Sequence, residues 1–454
     1  MENKKIKLIT APCDFEIIQQ IDGYADILIA GEFLPDDDDD TEQPMPFSKD
    51  KVFARVIDES DGCAVTLPVR LSTNGNDFEA TISRVPAGGT YTLDFIMLDP
   101  EHSAEYHVRG ERRRHIGVGD VYLVMGQSNA SGMAKGEITD APELGVHVLR
   151  NLDRWDIASS PFSDLDYSRQ NMLMTFAKKL KSKLGYPIGI IPGAMGGAPL
   201  SRWLTSERGD LYKKAIEATR NTKIKGVIWY QGCTDAAEGC STDSYFSRFS
   251  ELVSQLRRDF ENENLPIFTF QLNRQKRRVE SPVFDSRFDN IREAQRIAAK
   301  RIQGVYVIPT VDCMQMSDFV HLSKSSCITL GERLARRILG KLYGIGLTYD
   351  APEVISAKQT DARKIVATFS GVTEYLYDFN APFSAYPITV RDDLGAVGIS
   401  AARLAADRAE LTLERAPVGN VTLSGQCGID PKNIIIDYGT QLPMISFKDF
   451  PVER

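Results

Sequence analysis

With 454 residues the chain is long enough for two or three domains, each burying a core of its own. A formal net charge of -8 argues against a general nucleic-acid binder, whose affinity depends on a basic surface. No apolar run reaches the roughly 18 residues of a membrane span, and the polar start Met1–Lys5 leads into no signal-peptide core. The expected setting is therefore cytoplasmic, with no membrane partner. Seven cysteines are scattered without a Cys-x-x-Cys pair and read as reduced thiols, and the Cys233 to Cys240 spacing suits no familiar metal site.

From the amino terminus to about residue 110 the pattern is short and strand-like. Ala25–Gly31, Val52–Val56, Ala64–Val69, Phe78–Ile82 and Tyr91–Met97 are separated by Gly, Pro, Asn and Asp turns, which predicts a small β-sandwich. The acidic run Asp36–Asp40 reads as a solvated loop rather than a calcium site. Arg109–His115 is a basic stretch where the composition changes, and it reads as a linker.

After it, strand-like runs alternate with helical ones. The strands are Val121–Met125, Pro187–Pro192, Gly226–Tyr230, Pro266–Leu272 and Val305–Pro309; the helices are Asn171–Leu184, Leu211–Asn221, Thr242–Phe260, Ile291–Ile302 and Ile328–Tyr343. Such alternation implies a parallel sheet covered on both faces. From about residue 350 short strands return, at Val354–Ala357, Lys364–Phe369, Ile388–Arg391, Glu410–Leu413 and Asn420–Leu423, and predict a second all-β module. The expected division is 1–112, 113–346 and 347–454.

Within the central region, Val121–Met125 ends in Gly126-Gln127-Ser128-Asn129, a tight turn that puts Ser128 at the carboxyl end of a buried strand, where open α/β sheets carry their chemistry. A serine hydroxyl needs an imidazole to take its proton, and the imidazole needs a carboxylate to fix its tautomer. Of five histidines, only His321 lies well beyond Ser128 toward the carboxyl terminus, just past the last predicted strand, with Asp318 three residues before it. A lone Asp-x-x-His also fits a helix cap. Acyl transfer further needs N–H donors for an oxyanion, which the glycine-rich turn at Gly193–Gly197 offers, and Gln231 adds a side-chain amide after the third strand.

The ordered blocks Gly126-Gln127-Ser128-Asn129, Gly196-Gly197-Ala198-Pro199, Trp229-Tyr230-Gln231-Gly232, Arg292-Glu293-Ala294-Gln295 and Asp318-x-x-His321 resemble those of the sialate O-acetylesterases and related carbohydrate acetylesterases, within the SGNH hydrolase superfamily. The resemblance covers about residues 116 to 345. It implies an α/β fold, a three-layer αβα flavodoxin-like parallel sheet flanked by amino- and carboxy-terminal β modules. It implies Ser128 as nucleophile, His321 as general base and acid, and Asp318 as its orienting carboxylate. The N–H groups of Ser128 and Gly197, with the Gln231 side chain, would form the oxyanion hole, and Gln127, Asn129 and Asp235 would contact an acetylated sugar. No metal and no organic cofactor is implied. The helix carrying Arg292, Glu293 and Gln295 is expected to support structure.

Two departures stand out. Many relatives have Glu-Ser-Asn or Glu-Ser-Asp after the Gln-Gly pair, where this chain has Cys233, Thr234 and Asp235. Cys233 cannot assist the histidine as a Glu would, which leaves Asp318. Asp235, once ionised, only accepts hydrogen bonds, which favours Gln231 as the oxyanion donor. The second departure is Leu322 where the family has Pro. Two other readings compete. A catalytically silent glycan-binding protein of the same fold draws on the altered Cys233 block. An α/β-hydrolase lipase draws on Gly-x-Ser-x-Ala, although Ser128 follows the first strand of its domain.

Overall fold

The computed structural model describes residues 5–34, 48–99, 104–108, 110–136, 140–162, 169–219, 222–276, 281–346, 350–378 and 386–454. The acidic run at 36–40 lies outside them, as does Arg109. The organising element is a single long strand, β1 (Arg113–Gly126), buried without a break from Ile116 to Gly126. Its first half pairs antiparallel with the strand Gly88–Asp99 and parallel with Ile17–Gln19. Its second half lies in the central sheet with β2 (Val146–Arg150), β3 (Arg154–Ile157), β4 (Ile188–Pro192), β5 (Gly226–Tyr230), β6 (Ile267–Phe270) and β7 (Val305–Ile308), in the order β3-β2-β4-β1-β5-β6-β7. The basic stretch read as a linker thus runs directly into β1, with Arg113, Arg114 and His115 as its first residues.

The sheet is mixed rather than wholly parallel. The edge strand β3 runs antiparallel to β2, and the strands joining the first half of β1 add a further antiparallel part. β1 is flanked by β4 and β5 with parallel register on both sides. Alternation along β1 sends Val121, Leu123 and Met125 into one core, shared with the helices α2 (Asp210–Thr219), α3 (Thr242–Asp259) and α4 (Pro282–Arg301). Tyr122 and Val124 enter another, shared with α1 (Leu173–Leu184) and α5 (Lys324–Tyr343). Side chains such as Leu123, Phe176, Phe249 and Leu334, fully or almost fully buried, each contribute about 1.5–3 kcal/mol. Ile116 and Val118, on the first half of β1, belong to a third core built from the amino-terminal strands.

Asp120 marks the junction between the two halves of β1. Its buried carboxylate accepts from Gln19 Nε2 at 2.9 Å, Gln20 Nε2 at 3.1 Å, Tyr186 Oη at 2.9 Å and Tyr343 Oη, so a charge that would be costly alone is satisfied by donors from three regions of the chain. The expected strand at Ala64–Val69 shrinks to Val69–Arg70, because Pro68 offers no N–H and Cys63 N turns back onto Asp61 Oδ1 at 2.8 Å. The carboxy-terminal strands enclose their own core. They are fastened to the central sheet through Gln271, whose amide donates to Ser446 O at 2.9 Å and accepts from Ser446 N at 2.9 Å.

Candidate active site

The site gathers at the carboxyl ends of β1, β4, β5, β6 and β7, where β1 has neighbours on both sides. Gly126 ends β1 with φ 125°, and a Cβ there would stand 2.3 Å from Tyr230 O, so only glycine allows the two strand ends to approach this closely. The chain then turns into the single helical turn Ser128–Ser131. Ser128 is 8% exposed, and its N–H has no acceptor among the described residues. Gly197, after β4, is exposed with φ 67°, and its N–H is likewise unpaired among the described residues. A turn of this kind leaves amide donors pointing outward for an anion.

His321 lies in the turn after β7. Its Nδ1 is 2.8 Å from Asp318 Oδ2, while Asp318 Oδ1 accepts the backbone N–H groups of Val320 and His321, each at 3.0 Å. Partial burial pushes the Asp318 carboxyl up, but these N–H groups and the imidazole outweigh it and hold the group below its ordinary value. The helix-cap reading does not apply, since α5 is capped by Ser323, whose side chain accepts from Ser326 N.

Asn129 ties the serine turn to the histidine turn. Its Oδ1 accepts Leu322 N at 3.2 Å, so the residue after Ser128 is bonded to the residue after His321. Its Nδ2 donates to Asn273 Oδ1 at 3.4 Å; Asn273 also accepts from Tyr230 Oη at 3.1 Å and donates to Val320 O at 3.2 Å. Asn273, three residues past the last pairing in β6, belongs to no motif. The signal available was a buried Gln-Leu-Asn run directly after a strand. No hydrogen bond joins Ser128 Oγ to the His321 ring, whose bond is to Asp318.

Three residues expected to face the substrate are engaged internally. Gln231 is fully buried; its amide nitrogen donates to Ala198 O at 3.2 Å and to Asp235 Oδ2, and its oxygen accepts from Tyr245 Oη at 2.9 Å. Both amide hydrogens are spent, so the Gln231 side chain has no donor left for an oxyanion. Asp235, 1% exposed, accepts Leu200 N at 3.0 Å and Arg248 Nη1 at 3.0 Å besides Gln231, and so braces the loop after β4. Asn129 is occupied as described. Gln127 differs: its Oε1 accepts Gly232 N at 3.0 Å and Cys233 N at 3.1 Å, but its amide nitrogen has no acceptor among the described residues. Burial pushes the Cys233 thiol up to about 12, so it stands neutral, accepting from Gln275 Nε2 at 3.3 Å.

The Arg292 block supports these loops. Arg292, 1% exposed, donates to Leu272 O at 2.9 Å, Asn273 O at 3.2 Å and Gly428 O, and meets Asp289 at 3.4 Å. Gln295 accepts Leu272 N at 2.9 Å and donates to Gln231 O at 3.0 Å. Arg292→Ala leaves three carbonyls without this donor and Asp289 without its counter-charge, and is expected to cost about 3–5 kcal/mol, read as a lowered urea midpoint. Among the described residues there is no group of three or more His, Cys, Asp or Glu side chains able to hold a metal ion, and no helix is long and apolar enough to cross a membrane. A hollow of about 740 Å³ lies away from this site, lined by residues including Gln19, Tyr24, Asp26 and Arg84.

Residues 118–340 match the family model described as carbohydrate esterase, sialic acid-specific acetylesterase. A probable carbohydrate esterase of Arabidopsis thaliana is 27% identical over 248 residues, which are 48% of this chain and 90% of that protein. The sialate O-acetylesterase of Homo sapiens is 28% identical over 108 residues, 19% of this chain and 20% of that protein. A solved carbohydrate acetylesterase from Xanthomonas citri shares the fold, with a TM-score of 0.68 at 20% identity, covering 97% of this chain and 99% of that one. Over residues 118–340 the chain thus carries a carbohydrate esterase domain similar to the sialic acid-specific acetylesterases, and it is a carboxylic ester hydrolase.

Proposed function

We propose that the chain removes O-acetyl groups from carbohydrates through Ser128, His321 and Asp318, by way of an acetyl-enzyme. The observation that carries the reading is the Asp318–His321 pair at 2.8 Å, bonded back to the serine turn through Asn129 and Leu322. An Nδ1–H donated to Asp318 leaves His321 Nε2 as the acceptor. Ser128 Oγ attacks the acetyl carbonyl carbon and its proton passes to Nε2. The tetrahedral intermediate collapses, the C–O bond to the sugar breaks, and the sugar oxygen takes that proton. Water, deprotonated by the same nitrogen, then attacks the acetyl-enzyme, releasing acetate and restoring Ser128. Catalytic hydrogen bonds commonly tighten only with substrate bound, which accommodates a Ser128 hydroxyl not yet bonded to the ring.

The oxyanion is assigned to the unpaired N–H groups of Ser128 and Gly197, with the Gln127 amide nitrogen in the place first expected of Gln231. The two cores on opposite faces of the central sheet support a three-layer αβα arrangement of the SGNH type within about residues 113–346, between β modules at 1–112 and 347–454. The reading is tested by acetate release from O-acetylated sialic acid and acetylated xylo-oligosaccharides, and by fatty-acid release from long-chain esters. Release from an acetylated sugar supports it. Activity confined to long-chain esters supports a lipase, and no turnover by the intact chain supports a silent glycan binder.

A further inference from the structure

Phe319 stands between Asp318 and His321 with φ 65°, in the left-handed region that bulky side chains rarely adopt, and it is 40% exposed. The backbone around it is held by hydrogen bonds. Phe319 N donates to Met316 O at 2.9 Å, Lys276 N donates to Phe319 O at 3.0 Å, and Asp318 Oδ1 takes the N–H groups of Val320 and His321. Glycine would follow the same path without steric cost. An apolar side chain left 40% exposed, at a strained position beside the Asp318–His321 pair, is an unusual choice for the fold alone, and strain of this kind gathers where function requires it. Met314, 49% exposed, and half-buried Met316, whose N–H donates to His321 O at 2.8 Å, continue the apolar rim.

We propose that Phe319 is a specificity-determining residue whose ring forms the wall on which the sugar of the acetylated substrate stacks. This rests on the assignment of Ser128 and His321. The C–H face of a pyranose is apolar and meets an aromatic face well, while the sugar hydroxyls remain in water. The ring thereby positions the acetyl group between Ser128 and His321 and takes no part in proton transfer.

The experiment compares two esters: ethyl acetate, which carries an acetyl group and no ring, and whichever of acetylated xylo-oligosaccharide or O-acetylated sialic acid the parent cleaves faster. Phe319→Ala and Phe319→Gly are expected to raise KM for the acetylated sugar about tenfold, with kcat/KM for ethyl acetate changed by less than about twofold. Phe319→Tyr should restore the sugar KM, and the glycine variant should melt no lower than the parent. A sugar KM indifferent to residue 319 overturns the inference. So does a parallel loss on both esters, which would make Phe319 a support for the histidine turn. A parent that cleaves only the simple ester overturns it as well, whereas a parent inactive on both also overturns the underlying nucleophile assignment.

Discussion

Ser128→Ala is expected to lower kcat on 4-nitrophenyl acetate by roughly 10⁴- to 10⁶-fold while leaving the thermal midpoint nearly unchanged. The kinetic loss follows from removing the only atom placed to form the acyl bond at the end of β1. What survives is the contribution of the two backbone N–H donors, the Gln127 amide and binding. The stability expectation follows from packing. The Ser128 hydroxyl makes no hydrogen bond to a described residue, and the contacts that hold the turn are backbone ones, such as Gly132 N to Ser128 O at 3.0 Å and Gln127 N to Tyr230 O at 2.9 Å. Alanine keeps all of them. Stopped assays together with a melting curve separate this outcome from unfolding, and a variant that retains parental activity removes Ser128 from the mechanism.

The second large effect belongs to Asp318→Asn, expected to reduce kcat by about 10⁴-fold at neutral pH. The amide cannot accept Nδ1–H and the Val320 and His321 N–H groups with the strength of a carboxylate, so the ring loses both its tautomer preference and the charge that stabilises the imidazolium. The sign of the pH effect is fixed by the direction of the shift. The folded carboxyl lies below its ordinary value, so its stabilising effect is complete above the unfolded pKa of about 3.9 and is lost only as pH falls through the lower folded value. Asp318 should therefore not set the acid limb of the parent's kcat/KM profile, and an acid limb set by Asp318 at or above the ordinary carboxylate range would contradict the geometry. Because half-exposed Asp318 is partly screened by water, the variant is expected to lose activity far more than stability.

Much of this was legible in the sequence wherever a local physical constraint acts alone. Val121–Met125 announced a buried strand because nothing in it tolerates water, and the five central helices announced themselves by three-and-four spacing. His321 stood out because histidine is scarce and this one follows the last parallel strand. What escaped depended on partners distant in the chain. The strand Val146–Arg150 was hidden by His147, a polar residue that is fully buried because its ring bonds Phe15 O at 2.7 Å, and burial pushes it down to about 4 so that it stays neutral. The first half of β1 was masked by Arg113, Arg114 and His115, whose side chains remain at least partly exposed while their backbone enters the sheet. α4 begins at Pro282, well before the apolar spacing starts, because proline is pre-set for a first helical turn.

The same limit explains the site. Gln231 and Asp235 were credible donor and contact residues by type, yet Tyr245, Arg248 and Leu200 engage them from elsewhere in the chain and bury them. Asn273 bears on both the serine turn and the histidine turn without belonging to a recognisable spacing. Gln127 is the reverse case, a motif residue whose oxygen is anchored to the loop after β5 while its nitrogen is free to act. Local pattern picks out residue types able to do chemistry, and long-range hydrogen bonding decides which of them keep an unengaged polar group.

The most direct measurement is peptide mass mapping after rapid acid quench of the enzyme with excess 4-nitrophenyl acetate. One acetyl group is expected on the peptide containing Ser128, present in the parent during turnover and absent from Ser128→Ala. Acetyl release without any labelled peptide under burst conditions, or a catalytically competent acetyl group on another residue, would contradict the assignment of Ser128 as nucleophile.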